Sequence, residues 1–315
     1  MQLDSRQLAA FAAVLREGSF EAAARSLHVT PSAVSQRIKA LEERLGRVLI
    51  RRASPCVATE AGESLQRHAQ QLQLLEAQAL APFGMTAASA PAAREAQEAL
   101  PLAIAINADS LATWFVPALA ALREQHEVCL DLHVEDQDHS SELLRQGRVL
   151  AAVSAEPTPV QGCRVSPLGR MRYLAVASPA FMRRHFAAGL DDAALARAPC
   201  CSFNQKDQLQ ARFLRQLSRR RLNPPQHRVP STHGFVHAAL HGLGWGMNPE
   251  ALVAPLLASG DLVEIAPGRA LDVPLYWQRW SLEAEVLKAL GDAVAAAARS
   301  GLRPMRTPPS AGVAD

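Results

Sequence analysis

The sequence predicts an α/β protein of two unequal parts: a small helical head running into a long helix, then a larger body of two α/β lobes. Three observations carry that prediction. Within residues 1–60 the apolar residues recur at helical spacing in three short blocks, each with its own start or stop signal. From Leu100 the pattern switches to short apolar runs alternating with amphipathic segments, as in a parallel sheet covered by helices. Charge divides at the same place: residues 1–60 hold nine Lys or Arg against six Asp or Glu, and residues 61–315 hold 24 of each. A basic head on a neutral body points to a polyanionic partner for the head alone.

In the first block Leu8, Phe11, Ala12 and Leu15 share a helix face and Gly18 supplies a stop, so a first helix runs from about Ser5 to Glu17. Ser19 caps a second, short helix with Phe20, Ala23, Ala24 and Leu27 inward. Thr30 caps the third. Pro31 takes its first position, where a missing N–H is harmless because that group has no intrahelical partner. At about 100° per residue, Val34, Ile38, Leu41 and Leu45 make the buried face of this helix. The opposite face carries Ser32, Ser35, Gln36 and Lys39, with no acid among them; Glu42 and Glu43 come only in the C-terminal half. Three close helices ending in such a face describe a helix-turn-helix whose third helix enters a DNA groove. The plainer alternative is a solvated face that is polar by default.

The stretch RVLIRRASPCVATEAG, Arg47–Gly62, holds two short β-prone segments around Ser54-Pro55, a small wing with Arg47, Arg51 and Arg52 at its base. This completes a winged head over residues 1–58. Thr59 then caps a long linker helix, residues 59–83, with Leu65, Leu72, Leu75 and Ala79 inward and Pro82 near its end. A partly heptad-like helix beside a DNA-binding head pairs with its twin, which predicts a homodimer. Residues 84–99, rich in Ala and Ser, read as a hinge.

Residues 100–302 read as two lobes. LPLAIAI, a helix Ser110–Gln125, VCLDLHV, a helix Ser140–Gln146 and VLAAVS make one βαβαβ unit. PCCSF, a helix Gln208–Arg219, HRVPS, a helix Gly234–His241 and GWGMNPE make the second. YLAVAS and PLYWQRW are strands that return the chain, so the lobes share crossovers. The cleft between such lobes is a usual place for a small molecule. Residues 303–315 read as a disordered tail.

Other classes find little support. No run approaches the ~18 to 20 apolar residues needed to cross a bilayer, and the start lacks a secretory pattern. Cys56, Cys129, Cys163, Cys200 and Cys201 form neither an even framework nor a C-x-x-C pair, which fits a reducing cytoplasm. His233, His237 and His241 share a helical spacing, but no H-E-x-x-H pattern, acid or cysteine completes a metal set. GLGWG does not open a long helix, so it is no dinucleotide fingerprint. An enzyme with a nucleic-acid-binding appendage would need a nucleophile and base, a metal set or a phosphate loop. None is found, so neither a cofactor nor catalysis is expected.

Thr30, Ser32, Ala33, Val34, Ser35, Ile38, Leu41 and Glu42, followed by Gly46, Leu49, Arg52 and Thr59-Glu60-Ala61-Gly62, resemble the N-terminal signature of LysR-type transcriptional regulators. The resemblance covers the chain in order: winged helix-turn-helix, linker helix, two periplasmic-binding-protein-like lobes. SAVSQRIKALE, INADSLATWFVPAL, VEDQDHSSELLRQGRVLAAVS, FNQKD and GLGWGMNPE are most similar to the ArgP/LysG (IciA) branch, whose members control basic amino-acid export and sense lysine or arginine. The resemblance implies that Thr30, Pro31, Ser32, Ser35, Gln36 and Lys39 meet bases and phosphates, with Arg52 as the wing's basic contact. Cys56-Val57-Ala58 departs from the family, which often has a further wing Arg there. It implies an interrupted palindrome in double-stranded DNA, bound by a dimer or a dimer of dimers. It also implies an effector site of Asn107, Asp109 and Ser110 after the first strand, Glu135, Asp136 and Asp138 after the second, and Asn204, Asp207 and Thr232 in the second lobe. There Ser110 and free helix-start amides would hold an α-carboxylate, and the acids would meet cationic groups.

Overall fold

The computed structural model describes residues 3–80, 101–135 and 140–305. The head begins with α1 (Ser5–Glu17), capped by the Asp4 carboxylate, which accepts from the Arg6 and Gln7 amides. It ends at Gly18 in left-handed backbone that only glycine takes without strain. Ser19 caps α2 (Phe20–Ser26) and Thr30 caps α3 (Pro31–Leu45), each through its side-chain oxygen. Phe11, Val14, Val34, Ile38 and Leu41 are buried where the three helices meet.

The wing is β1 (Ile50–Arg51) paired antiparallel with β2 (Val57–Ala58). Glu42 holds it to α3, its Oε1 accepting from the Leu49 and Ile50 amides at 2.8 and 3.3 Å. Thr59 caps α4 (Glu60–Leu80) by accepting from the Gly62 amide, and its hydroxyl donates to the Val48 carbonyl at 2.7 Å. Gly62 passes so near that a β-carbon there would lie 2.1 Å from the Leu49 carbonyl oxygen. The Thr59–Gly62 run thus clamps the linker helix to the wing.

Along α4 the expected stripe is only partly right. Leu65 and Ala69 are buried in the head core with Leu72 packed beside them, an i, i+4, i+7 row. Leu74, not Leu75, is buried in the core of the larger domain. Leu75 is 41% exposed and Ala79 is exposed as well. Two separate cores claim two sides of one helix, and a single inward stripe does not describe it. The expected hinge at 84–99 lies outside the described residues.

In the first lobe β3 (Pro101–Ile106) leads through Asn107 into α5 (Ala108–Ser110), a π turn (Leu111–Phe115) and α6 (Val116–Gln125). This helical run therefore starts two residues before the expected Ser110. After it come β4 (Cys129–Val134), α7 (Ser140–Arg145) and β5 (Ala151–Ser154); β4 and β5 flank β3, both parallel to it. The strand β6 (Cys163–Ala177) then crosses to the second lobe. That lobe comprises α8 (Pro179–His185), α9 (Asp192–Arg197), β7 (Cys200–Ser202), α10 (Leu209–Leu217), β8 (Gln226–Arg228), α11 (Thr232–Leu240), β9 (Gly246–Pro249), α12 (Glu250–Ser259) and β10 (Val263–Glu264). The return crossing is β11 (Ala270–Trp280), antiparallel to both β6 and β5, after which α13 (Glu285–Gly301) packs on α6.

The main sheet runs β10-β6-β11-β5-β3-β4 with β9 also on β6, and β7 and β8 form a parallel pair. Both crossing strands extend well beyond YLAVAS and PLYWQRW, because their outer parts alternate between buried and more exposed positions instead of forming apolar runs. Asp272 on β11 pins them, accepting from Arg170 at 2.5 Å and from Arg172 at 2.8 and 3.0 Å. The expected tail starts too early. Arg303 exchanges backbone hydrogen bonds with Arg170 at 2.7 and 3.0 Å, and its guanidinium donates to both carboxylate oxygens of Glu250; the rest of that tail, 306–315, lies outside the described residues. Among the described residues no helix is long and apolar enough to cross a membrane.

Candidate nucleic-acid interface and effector cleft

The outward side of α3 is built as its spacing predicts. Thr30, Pro31, Ser32, Gln36 and Lys39 are exposed and Ser35 is half-buried at the edge of that face. The Thr30 hydroxyl oxygen accepts from the Ala33 amide at 3.2 Å, which leaves its proton free to donate outward. Lys39 lies 3.7 Å from Glu43 with both side chains well exposed, a water-screened pair too weak to hold the ammonium back from a phosphate. The Arg52 guanidinium stacks 4.8 Å over the Phe20 ring, which fixes a positive charge beside α2. Cys56 turns into the head core, so the side chain at that position packs inward instead of pointing away from the wing. This face joins a positive helix start to side chains that both donate and accept, the inventory that base edges and phosphates require.

The second site lies between the lobes, a cleft of about 150 Å³ open to solvent. Asn107, Asp109 and Glu135 line it from the first lobe, and Asn204, Asp207 and Thr232 from the second. One expected residue, Ser110, is placed elsewhere. Ser110 is completely buried inside the helical run, its hydroxyl has no partner among the described residues and it does not line the cleft. Because the helix begins at Ala108, position 110 is turned into the core and cannot hold a carboxylate in the cleft. Asp136 and its neighbour Asp138 lie outside the described residues.

Asp109 is the centre of the arrangement. Its Oδ1 accepts from the Thr232 hydroxyl at 2.8 Å and its Oδ2 from the Tyr173 hydroxyl at 2.7 Å, tying the first lobe to α11 and to β6. Asn204 and Asp207 spend their oxygens locally. Asn204 Oδ1 accepts from the Lys206 and Asp207 amides at 2.8 and 3.1 Å, and the Asp207 carboxylate from the Phe203 and Leu209 amides at 2.8 and 3.0 Å. They set the shape of a turn on the cleft wall. Glu135, by contrast, is exposed at the rim with no side-chain partner among the described residues.

Sequence reading missed Asn248, which is completely buried on β9 and lines the cleft. The sequence offers only a weak signal, a lone amide beside Met247 in a short strand, because neither its burial nor its unmet acceptor is legible there. The remaining wall includes Phe203, Phe235, Leu209 and Met247. Asp109, Glu135 and Asp207 give the cleft three carboxylates, and no Lys, Arg or His lines it among the described residues. Its field therefore favours a cation. The adjacent thiols offer no nucleophile, since burial pushes Cys200 up to about 12 and Cys201 up to about 11.

Comparison with known proteins covers both the head and the two-lobed body. Residues 5–63 match the family described as bacterial regulatory helix-turn-helix protein, lysR family, and residues 95–299 match the LysR substrate binding domain. The HTH-type transcriptional regulator LysG of Mycobacterium tuberculosis is 51% identical over 96% of this chain and 95% of its own length. The lysine export transcriptional regulatory protein LysG of Corynebacterium efficiens is 46% identical over 92% of this chain and 96% of its own. Full-length LysG from Corynebacterium glutamicum with bound effector Arg superposes with a TM-score of 0.75 at 42% identity, covering 96% of this chain and all of the other. A winged head, a linker helix and a two-lobed ligand domain in one order, matched along nearly the whole chain, place this protein in the LysR family of helix-turn-helix transcriptional regulators.

Proposed function

We propose that this regulator responds to a basic amino acid, arginine or lysine, and controls genes of basic amino-acid export or metabolism. One observation carries the reading: the cleft is lined by three carboxylates and by no cationic side chain among the described residues. A cationic amino acid brings two positive groups and one carboxylate. The exposed carboxylate of Glu135 suits the side-chain cation, while the positive helix start at Ala108 suits the carboxylate. The arginine bound to the Corynebacterium glutamicum relative and the lysine-export name of the Corynebacterium efficiens one support the same chemistry.

The protein acts as a cytoplasmic DNA-binding regulator and not as an enzyme. Thr30, Pro31, Ser32, Ser35, Gln36 and Lys39 meet the operator, with Arg52 beside them. Pairing along α4 presents two heads to an interrupted palindrome, and lobe contacts join dimers into tetramers. The exposed Leu75 supports the pairing. Ligand alters the DNA complex to the extent that it prefers one arrangement of lobes, a coupling of ~1–3 kcal/mol. Calorimetric titration of the full chain with arginine, lysine, citrulline and glutamate, alongside gel shifts on the operator, tests the reading. Arginine or lysine is expected to bind and to change the shift; binding of only the neutral or acidic compound overturns it.

A further inference from the structure

Two buried amides face the cleft from opposite lobes, and neither has its hydrogen-bonding capacity met among the described residues. Asn248 on β9 is 0% exposed. Its Nδ2 donates to the Gly246 carbonyl oxygen at 3.2 Å. A carbonyl only accepts, so this contact fixes which end of the amide is nitrogen and leaves Oδ1 as an acceptor without a donor. Asn107, at the end of β3, is 3% exposed, and both its Oδ1 and its Nδ2 lack partners among the described residues. Buried polar atoms in a folded protein are almost always hydrogen-bonded, and unmet ones in a ligand cleft mark where ligand atoms belong.

The cleft is therefore sorted by depth. Its buried part holds neutral amides, one fixed as an acceptor and one able to donate, while the free carboxylate of Glu135 stands at the exposed rim. An amino acid has a matching polarity. Its α-carboxylate and α-ammonium are adjacent and neutral as a pair, and its side-chain cation lies several bonds away.

We propose that Asn248 is a specificity-determining residue of the cleft, its Oδ1 accepting an N–H of the ligand's α-ammonium group while the side-chain cation points to Glu135. Asn107 Nδ2 donates to the α-carboxylate of the same ligand. The assignment rests on the basic amino-acid reading above and adds to it which end of the ligand enters first. It makes the α-amino group, common to every amino acid, a requirement separate from the side-chain charge.

Calorimetry on the full chain tests this with lysine and with 6-aminohexanoate, which is lysine without its α-amino group. The unaltered protein is expected to prefer lysine by at least about tenfold, because a site built around a donor rejects the analogue that lacks it. Asn248→Leu, similar in size but without the acceptor, is expected to weaken lysine by at least about tenfold and to leave 6-aminohexanoate within about threefold. Equal binding of the two compounds to the unaltered protein overturns the proposal without any variant, so a misfolded Asn248→Leu does not shield it. An equal loss for both compounds in a folded Asn248→Leu overturns it too. If the unaltered protein binds neither lysine nor arginine, the effector reading itself falls and takes this assignment with it.

Discussion

The hydroxyl of Thr232 donates to the carboxylate of Asp109 at 2.8 Å, joining the first turn of a helix in one lobe to a helix start in the other. The same carboxylate accepts from Tyr173 at 2.7 Å. Thr232→Val and Tyr173→Phe are each expected to lower the stability of the two-lobed domain by about 1–2 kcal/mol, since each removes a hydrogen bond to a charged acceptor. Because both donors serve one group, the double variant is expected to depart from additivity by about 0.5 kcal/mol or more. Urea unfolding of the four forms measures this, and strictly additive losses would contradict the shared acceptor.

Gly62 lies inside α4, where alanine is favoured over glycine by about 1 kcal/mol. A methyl there meets the Leu49 carbonyl oxygen at 2.1 Å, and Leu49 is held in place by Glu42. Overpacking against backbone costs about 1–3 kcal/mol and leaves a carbonyl displaced. Gly62→Ala is therefore expected to destabilise the head despite its helix preference, read as a lower melting temperature and weaker operator binding on warming. A variant as stable as the parent would mean that the clamp yields freely.

On α3, Gln36→Ala is expected to relax preference among operator bases at a cost of ~1–3 kcal/mol for the best site. Lys39→Ala is expected to weaken all sequences alike and to reduce the salt dependence by about one ion. Titrations at several salt concentrations, on the operator and on unrelated DNA, separate the two. Unchanged affinity and salt slope in both variants would remove this helix from the interface.

The Arg172 hydrogen bond, aided by the charges of Arg172, Arg170 and Arg303, holds the Asp272 carboxyl below its usual range against the opposing effect of partial burial. The folded state therefore binds this proton less readily than the unfolded chain does. The stabilisation is complete above the ordinary carboxylate value of about 3.9 and is lost as pH falls through the lower folded value. Asp272→Asn is expected to be less stable at neutral pH and to show a shallower acid decline, measured by unfolding midpoints from pH 7 downward. Parallel pH profiles for the two proteins would exclude Asp272 from acid unfolding.

The exposed side of α4 gives the assembly test. Leu75→Glu leaves both cores intact and is expected to dissociate the paired chains in sedimentation experiments. Leu72→Glu is less informative, because Leu72 also packs on the head core. An unchanged oligomer in Leu75→Glu would locate pairing elsewhere.

The head was readable from its residues because local signals settle it: Ser19, Thr30 and Thr59 each cap the helix that follows, and Gly18 ends the first. In the lobes, strand and helix alternation was readable, but α8, α9, α12 and α13 were not. The segments of α8 and α9 are only seven and six residues long, and too short for a period to stand out. Cleft positions followed from the resemblance, yet Ser110 was misplaced by a helix that starts two residues early. Asn248 was overlooked because its importance depends on burial and an unmet acceptor, and neither shows in one dimension. The stripe on α4 failed for a related reason, since periodicity does not say which of two cores a leucine serves.

The two crossing strands limit how such a regulator can be re-engineered. Both β6 and β11 lie within the main sheet, so replacing one lobe by that of a relative cuts through paired strands rather than through a connector. The linker is no better a splice point. A junction before α4 gives the head a foreign Leu65, Ala69 and Leu72, whereas a junction after it gives the body a foreign Leu74. Hybrid sensors built by exchanging modules thus inherit a mismatched core wherever they are joined. Altered ligand choice is better sought by point changes at the cleft wall, where the side chains involved belong to one domain and its folding units stay whole.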